Sequence, residues 1–159
     1  MTVDHPIVKA FVGAAIETLN TMAMLELETG EISRVQALEN TLDYTATMGL
    51  CGEKEGLLVL SLESSLARQV VAAMLGEDES EIDGDLLDGV GELTNMIAGS
   101  AKTELGKEGY HFNLSIPAVI EGEKNVVTPQ TASTGLRINL SCGGREFVLG
   151  IWTSGLSEA

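Results

Sequence analysis

One stretch of the sequence, residues 86–105, combines an apolar pattern and a polar pattern that a helix would place on opposite faces. Its apolar residues recur at steps of three and four, the spacing of a helix that lies on a core; they are Leu86, Val90, Leu93 and Ile97. At about 100° per residue, four other positions fall within about 60° of one another on the opposite side; they are Asp88, Glu92, Asn95 and Gly99. The stretch therefore predicts an amphipathic helix that presents a carboxylate and a carboxamide side by side.

Three glycines, Gly89, Gly91 and Gly99, lie inside this helical pattern. Each costs a helix about 1 kcal/mol relative to alanine, and the net stability of a typical domain is only about 5–15 kcal/mol. Asn95 is also a poor residue for a helix interior, because its amide competes for backbone groups. These costs indicate that another part of the fold or a partner approaches the helix backbone. Packing within the fold is the simpler alternative, and packing against a second copy of the chain is a third.

The remaining periodicities predict two more helices and five strands. The two helices are predicted at residues 6–27 and 63–74, and the central helix extends from 86 to 106 or 109. The strands are predicted at residues 42–51, 57–62, 110–120, 131–142 and 146–153. Two segments, 31–40 and 77–85, read as a polar and an acidic connector, and Ser64 or Ser65 is predicted to cap the second helix. The Gly143-Gly144 pair is predicted to turn between the last two strands. The whole predicts an α+β fold, an antiparallel sheet with packed helices, in one domain over residues 1–159.

Composition restricts the classes of function. The formal net charge of −15 argues against nucleic acid and against anionic membranes, since both are bound through Lys and Arg. Cys51 and Cys142 lie in apolar runs without metal-ligand spacing, so we expect both to be buried free thiols in a reducing compartment. The first residues do not resemble a signal peptide and no apolar run has membrane-spanning length. We therefore expect a cytoplasmic protein that needs no metal of its own.

A second helix echoes the central one. Gly13, Glu17 and Asn20 repeat the spacing of residues 88, 92 and 95, but glycine stands where the central helix has an aspartate. The echo suggests an internal duplication with pseudo-two-fold symmetry. Glu17 and Asn20 are accordingly a candidate second site, weakened by the missing acidic residue.

The spacing Asp88-x-x-x-Glu92-x-x-Asn95, with Pro117 twenty-two residues farther on, resembles the signature of the CheC/CheX/FliY family of chemotaxis phosphatases. The run GELTNMIAG at residues 91–99 is similar to the active-site helix of that family. The resemblance covers nearly the whole chain, and the length and element order are most similar to the CheX type. It implies an enzyme that hydrolyses the acyl phosphate of a phosphorylated, CheY-like response regulator.

The resemblance also implies roles for individual residues. Glu92 and Asn95 would be catalytic, whereas Asp88, Gly91 and Gly99 would contact the partner. The chain would bind no metal or cofactor of its own, and Mg²⁺ would be held by the response regulator. CheX-like proteins form homodimers, and the late strands could offer an edge for pairing. The alternative is a module of the same fold that binds a response regulator or a flagellar component without catalysis.

Overall fold

The computed structural model describes residues 5–52, 55–130 and 134–153. Within these residues it contains three α-helices: α1 (Pro6–Ala23), α2 (Ser64–Leu75) and α3 (Leu86–Gly106). Two short 3₁₀ turns, Glu79–Glu81 and Asp83–Asp85, connect α2 to α3. The strands in the same residues are β1 (Glu28–Val35), β2 (Tyr44–Gly52), β3 (Gly56–Leu62), β4 (Phe112–Leu114), β5 (Ala118–Glu121), β6 (Gly135–Cys142) and β7 (Arg145–Thr153).

The strands form one antiparallel sheet in the order β1-β6-β7-β3-β2-β4, with β5 also paired to β2. The helices pack on one face through a large apolar cluster, which includes Leu58 and Leu60 of β3. Because side chains alternate along a strand, Val59 belongs to the opposite face, where it packs with Leu38, Val148 and Trp152. The predicted α+β fold, an antiparallel sheet with packed helices, is confirmed.

Two helix ends differ from the prediction. The first helix ends at Ala23 and not at residue 27, because Met24 is left-handed (φ 54°) and its N–H bonds to the carbonyls of the last turn. The predicted serine cap of α2 is wrong: Glu63 is the N-cap residue and its side chain makes no capping bond. The Asp43 carboxylate instead accepts a hydrogen bond from the N–H of Ser64 at 2.7 Å. A residue that is distant in sequence thus satisfies the exposed end of this helix.

Two strand predictions are also wrong. Segment 31–40 was expected to be a connector, yet Glu28–Val35 is a strand paired to β6. The single strand expected at 110–120 is two short strands, β4 and β5, separated at Ser115, Ile116 and Pro117. The predicted 131–142 strand is confirmed from Gly135 onward, and residues 131–133 lie outside the described residues.

The smaller predictions have mixed outcomes. Gly143 and Gly144 join β6 to β7 with φ values of +56° and +81°, so the predicted tight turn is confirmed. Cys142 is buried as predicted, but the prediction for Cys51 is wrong, because that thiol is exposed near the end of β2, beside the short strand β4. The internal duplication stays a prediction. No helix in the described part of the chain is long and apolar enough to cross a membrane.

Candidate functional site

The central helix α3 is fixed on the sheet by its apolar stripe. The four residues predicted to form this stripe are all buried: Leu86, Val90, Leu93 and Ile97. Thr94 is also buried, and its hydroxyl is satisfied because it donates to the carbonyl oxygen of Val90 at 2.8 Å. With one side anchored in this way, the opposite side of α3 has a fixed orientation toward solvent.

The structure brings the predicted polar residues together on that outer side. Asp88, Glu92 and Asn95 are exposed, and Gly99 continues the same face one turn later. Among the described residues, none of the three polar side chains has a hydrogen-bond or ion-pair partner. We call this surface the α3 face: Asp88, Glu92, Asn95 and Gly99. It offers two carboxylates and one amide to a partner with no internal contact to break.

The three glycines of α3 have different surroundings. A Cβ added at Gly89 would lie 2.4 Å from Cγ1 of Val71 in α2. A Cβ at Gly91 would lie 3.5 Å from Cγ2 of Val119, at an ordinary contact distance. At Gly99 nothing lies within 4 Å. The close approach that these glycines predict is thus confirmed at Gly89 as packing within the fold, and of the other two only Gly99 is open to a partner.

The spaced proline of the sequence motif lies against the same helix. Cγ of Pro117 is 3.7 Å from the position of a Cβ at Gly91. The segment before it is fixed to β2, because the N–H of Ser115 donates to the Gly49 carbonyl at 3.0 Å and the Gly49 N–H donates to the Ser115 hydroxyl at 2.7 Å. A proline that is distant in sequence therefore lies beside the helix turn that contains Gly91 and Glu92.

The acidic connector in front of α3 is organised by Arg68 of α2. Its guanidinium donates to the carboxylate of Asp83 and, at 3.0 Å, to the carbonyl oxygen of Glu79. The hydrogen bond that Arg68 donates to Asp83 raises the pKa of Arg68 above its ordinary value. Near this region, burial raises the pKa of Tyr44, whose hydroxyl lies 3.5 Å from Oε1 of Glu121. The contacts of Arg68 hold the connector that precedes α3, and none of these residues belongs to the α3 face.

The candidate second site is on the neighbouring helix. Glu17 and Asn20 are exposed on α1. The first half of α1 lies beside the last turns of α3, and a groove between them is lined by Gly13 and Glu17 on one side and by Ser100 and Glu104 on the other. The two Glu-x-x-Asn segments are therefore on adjacent helices. A function for Glu17 and Asn20 stays a prediction.

Metal ligands do not gather in the part of the chain that the structure describes. Within residues 5–52, 55–130 and 134–153, no three His, Cys, Asp or Glu side chains come close enough together to hold an ion. Asp88 and Glu92 are thus a pair of carboxylates without a third ligand among those residues.

The chain matches a known family model and a relative of known activity. A family model for the chemotaxis phosphatase CheX matches residues 44–141, a range that contains α3 and Pro117 but not α1. The chain is 35% identical over 120 residues to the CheY-P phosphatase CheX of Thermotoga maritima, covering 75% of this chain and 77% of the relative.

Solved structures share the fold. The chain is similar to the chemotaxis protein CheX of Desulfovibrio desulfuricans, with a TM-score of 0.82, 32% identity, and coverage of 93% of this chain and 99% of the other. It is also similar to one chain in the structure of the CheX–CheY–BeF₃–Mg²⁺ complex from Borrelia burgdorferi. For that complex the TM-score is 0.70 and the identity 25%, with coverage of 92% and 97%.

Proposed function

This chain belongs to the CheX family of chemotaxis phosphatases, and we propose that it hydrolyses the acyl phosphate of a phosphorylated, CheY-like response regulator. One observation carries the proposal. Glu92 and Asn95 are exposed side by side, without internal partners, on a helix whose other side is buried in the core. Such a rigid helix can insert two polar groups into another protein's pocket without rearranging itself.

For this reaction the helix mainly has to position a water molecule. Transfer of a phosphoryl group passes through a loose transition state, so positioning and electrostatics dominate and a strong base is not essential. The amide oxygen of Asn95 can accept a hydrogen bond from a water and its NH₂ group can donate one to it, which orients that water in line with the scissile bond. The water oxygen bonds to phosphorus, the bond from phosphorus to the aspartate oxygen breaks, and both protons leave with the phosphate.

The carboxylates of the α3 face are proposed to guide docking. Glu92, one helical step from Asn95, would pair with a lysine of the response regulator and fix the register of the two proteins. Asp88, one turn earlier, would make a supporting contact at the edge. Gly99 would let the regulator approach the helix. The partner contact expected at Gly91 is not accessible in this way, because Gly91 is buried beside Pro117 and Val119.

Several further properties belong to the same proposal. Mg²⁺ would sit on the regulator, where it balances the charge of the phosphate, and this chain would contribute no metal ligand. A complex of a similar protein with CheY, BeF₃ and Mg²⁺ supports this arrangement. We also propose a cytoplasmic location, a single domain, and a homodimer that pairs through the sheet edge at β1. Of the late strands expected to offer an edge, β6 and β7 lie inside the sheet, and the edge at β4 and β5 adjoins α3.

The direct test follows phosphate loss from a phosphorylated CheY-like protein of the same organism, with and without this chain. We expect faster loss in proportion to the amount of chain added. Binding of the phosphorylated regulator without any acceleration would contradict the proposal and would favour the alternative, a docking module of the same fold. Absence of binding to every regulator of the organism would contradict both.

Gly99→Ala is expected to separate stability from partner contact. Nothing lies within 4 Å of the new methyl group, so the helix should gain up to about 1 kcal/mol in free energy of unfolding. The same methyl would stand where the regulator approaches, so KM for the phosphorylated regulator should rise several-fold. Urea denaturation and steady-state phosphate release measure the two effects.

Gly13→Ala is the matched control for this variant. Gly13 is also inside a helix with nothing within 4 Å of an added Cβ, so it should give a similar gain in stability with unchanged KM. A stabilised Gly99→Ala protein with wild-type KM would remove Gly99 from the partner surface.

A further inference from the structure

The most exposed large apolar side chain on the site's flank is Ile116. Its exposed fraction is 91%, although it directly precedes Pro117. The segment that carries it is held in place, since Ser115 exchanges two hydrogen bonds with Gly49 and its hydroxyl lies 3.3 Å from the carbonyl oxygen of Ile116. Because this anchored segment leaves the isoleucine exposed, the side chain buries almost no apolar surface within the fold, as is typical of a residue that contacts a partner.

The position of this residue ties it to the α3 face. Pro117 lies 3.7 Å from the Cβ position of Gly91, and Gly91 immediately precedes Glu92. Ile116 is therefore one residue from a contact with the helix turn that carries Glu92. Leu87, which is 43% exposed, precedes Gly91 by four residues and so lies on the same side of α3. Polar groups for the chemistry and exposed apolar groups thus adjoin each other.

We infer that Ile116 is a docking residue that contacts an apolar patch of the response regulator beside its phosphorylated aspartate, with Leu87 at the border of the same contact. This inference rests on the proposed function. A regulator that brings its phosphorylated aspartate to the water held by Asn95 must also cover the flank of α3. An apolar core next to a polar pair is the usual anatomy of an interface. A second copy of this chain on Ile116 would crowd the α3 face and obstruct the reaction, so the regulator is the better occupant.

The test is steady-state phosphate release at varied concentrations of the phosphorylated regulator. Ile116→Ser should raise KM about tenfold or more, because the contact buries a whole isoleucine side chain, and kcat should stay unchanged. Ile116→Leu keeps the apolar volume and should stay near the wild-type KM. Val126→Ser is the control, since Val126 is also exposed, at 60%, and neighbours Val127, which packs on the opposite face of the sheet.

The outcomes distinguish this inference from the function on which it rests. If Ile116→Ser keeps the wild-type KM while Asn95→Ala loses turnover, the docking role is wrong and the phosphatase stands. If the wild-type chain does not accelerate phosphate loss, both fail. If the Ile116→Ser protein shows a raised KM together with a changed mass in sedimentation equilibrium, Ile116 joins copies of this chain and the inference is overturned.

Discussion

Asn95→Ala is expected to lower the turnover number at least about 100-fold, toward the regulator's own rate of phosphate loss. Loss of one preorganised hydrogen-bonding group from a transition state typically costs about 10²- to 10³-fold in kcat. Affinity for the regulator should persist, because Asn95 is proposed to hold the water and Glu92 to hold the partner. The measurement is single-turnover phosphate release at saturating regulator, paired with a binding titration.

We expect this variant to fold as the wild type does, since alanine is a better helix former than asparagine and Asn95 is exposed. Asn20→Ala provides the matched control. Asn20 is also exposed on a helix, three residues after a glutamate, and the glycine at position 13 breaks its motif. We expect Asn20→Ala to keep wild-type turnover. Full activity in Asn95→Ala together with loss in Asn20→Ala would transfer the catalytic assignment from α3 to α1.

Glu92→Gln should affect mainly KM, whereas Asn95→Ala should affect kcat. The change keeps the shape of the side chain but removes the charge that is proposed to pair with the regulator's lysine. We expect KM to rise more than kcat falls, because a docking interaction is made in the ground state as well as in the transition state. A large fall in kcat at unchanged KM would assign Glu92 to the chemical step.

The sequence predicted α3 well because a long periodic stripe leaves few alternatives. The stripe from Leu86 to Ile97 fixed both the helix and its buried side, and the solvent side followed from the geometry of the helix. The predicted end, at residue 106 or 109, agrees with the observed end at Gly106. The exposure of Glu92 and Asn95 could therefore be predicted from the sequence alone.

Strands without an alternating pattern were harder to predict. The residues of β1 are mostly exposed, and the strand is held by backbone pairing to β6 at the edge of the sheet. Its polar sequence therefore carries no core signal. The break between β4 and β5 depends on the hydrogen bonds between Ser115 and Gly49, which join positions 66 residues apart. The exposure of Ile116 follows from that long-range contact, so no local sequence pattern could predict it.

The glycines of α3 show the same limit of prediction from sequence, here at single residues. Gly89, Gly91 and Gly99 are equivalent in the sequence, and each has the same intrinsic cost in a helix. The structure separates them: Gly89 faces Val71, Gly91 faces β5 and Gly99 faces open space. Only the arrangement of α2 and β5 around α3 decides which glycine is structural.

Gly89→Ala is expected to destabilise the fold by about 1–2 kcal/mol. The new Cβ would lie 2.4 Å and 2.7 Å from the two γ-carbons of Val71 and 3.1 Å from its Cβ. Rotating the valine would exchange one close contact for another, so α2 and α3 would have to separate. Overpacking of this kind costs about 1–3 kcal/mol, and the better helix propensity of alanine returns at most about 1 kcal/mol. Urea denaturation gives the change in the free energy of unfolding.

A double variant identifies the contact that causes this loss. Val71→Ala alone should destabilise the protein, because it opens space in the buried interface between α2 and α3. In the presence of Val71→Ala, however, Gly89→Ala should cost little, since both γ-carbons that it would meet are gone and only the Cβ of residue 71, at 3.1 Å, remains. The two changes should therefore differ from additivity by at least about 1 kcal/mol. Strictly additive effects would mean that Gly89 is required for a reason other than the approach of α2, and the packing account of this glycine would be wrong.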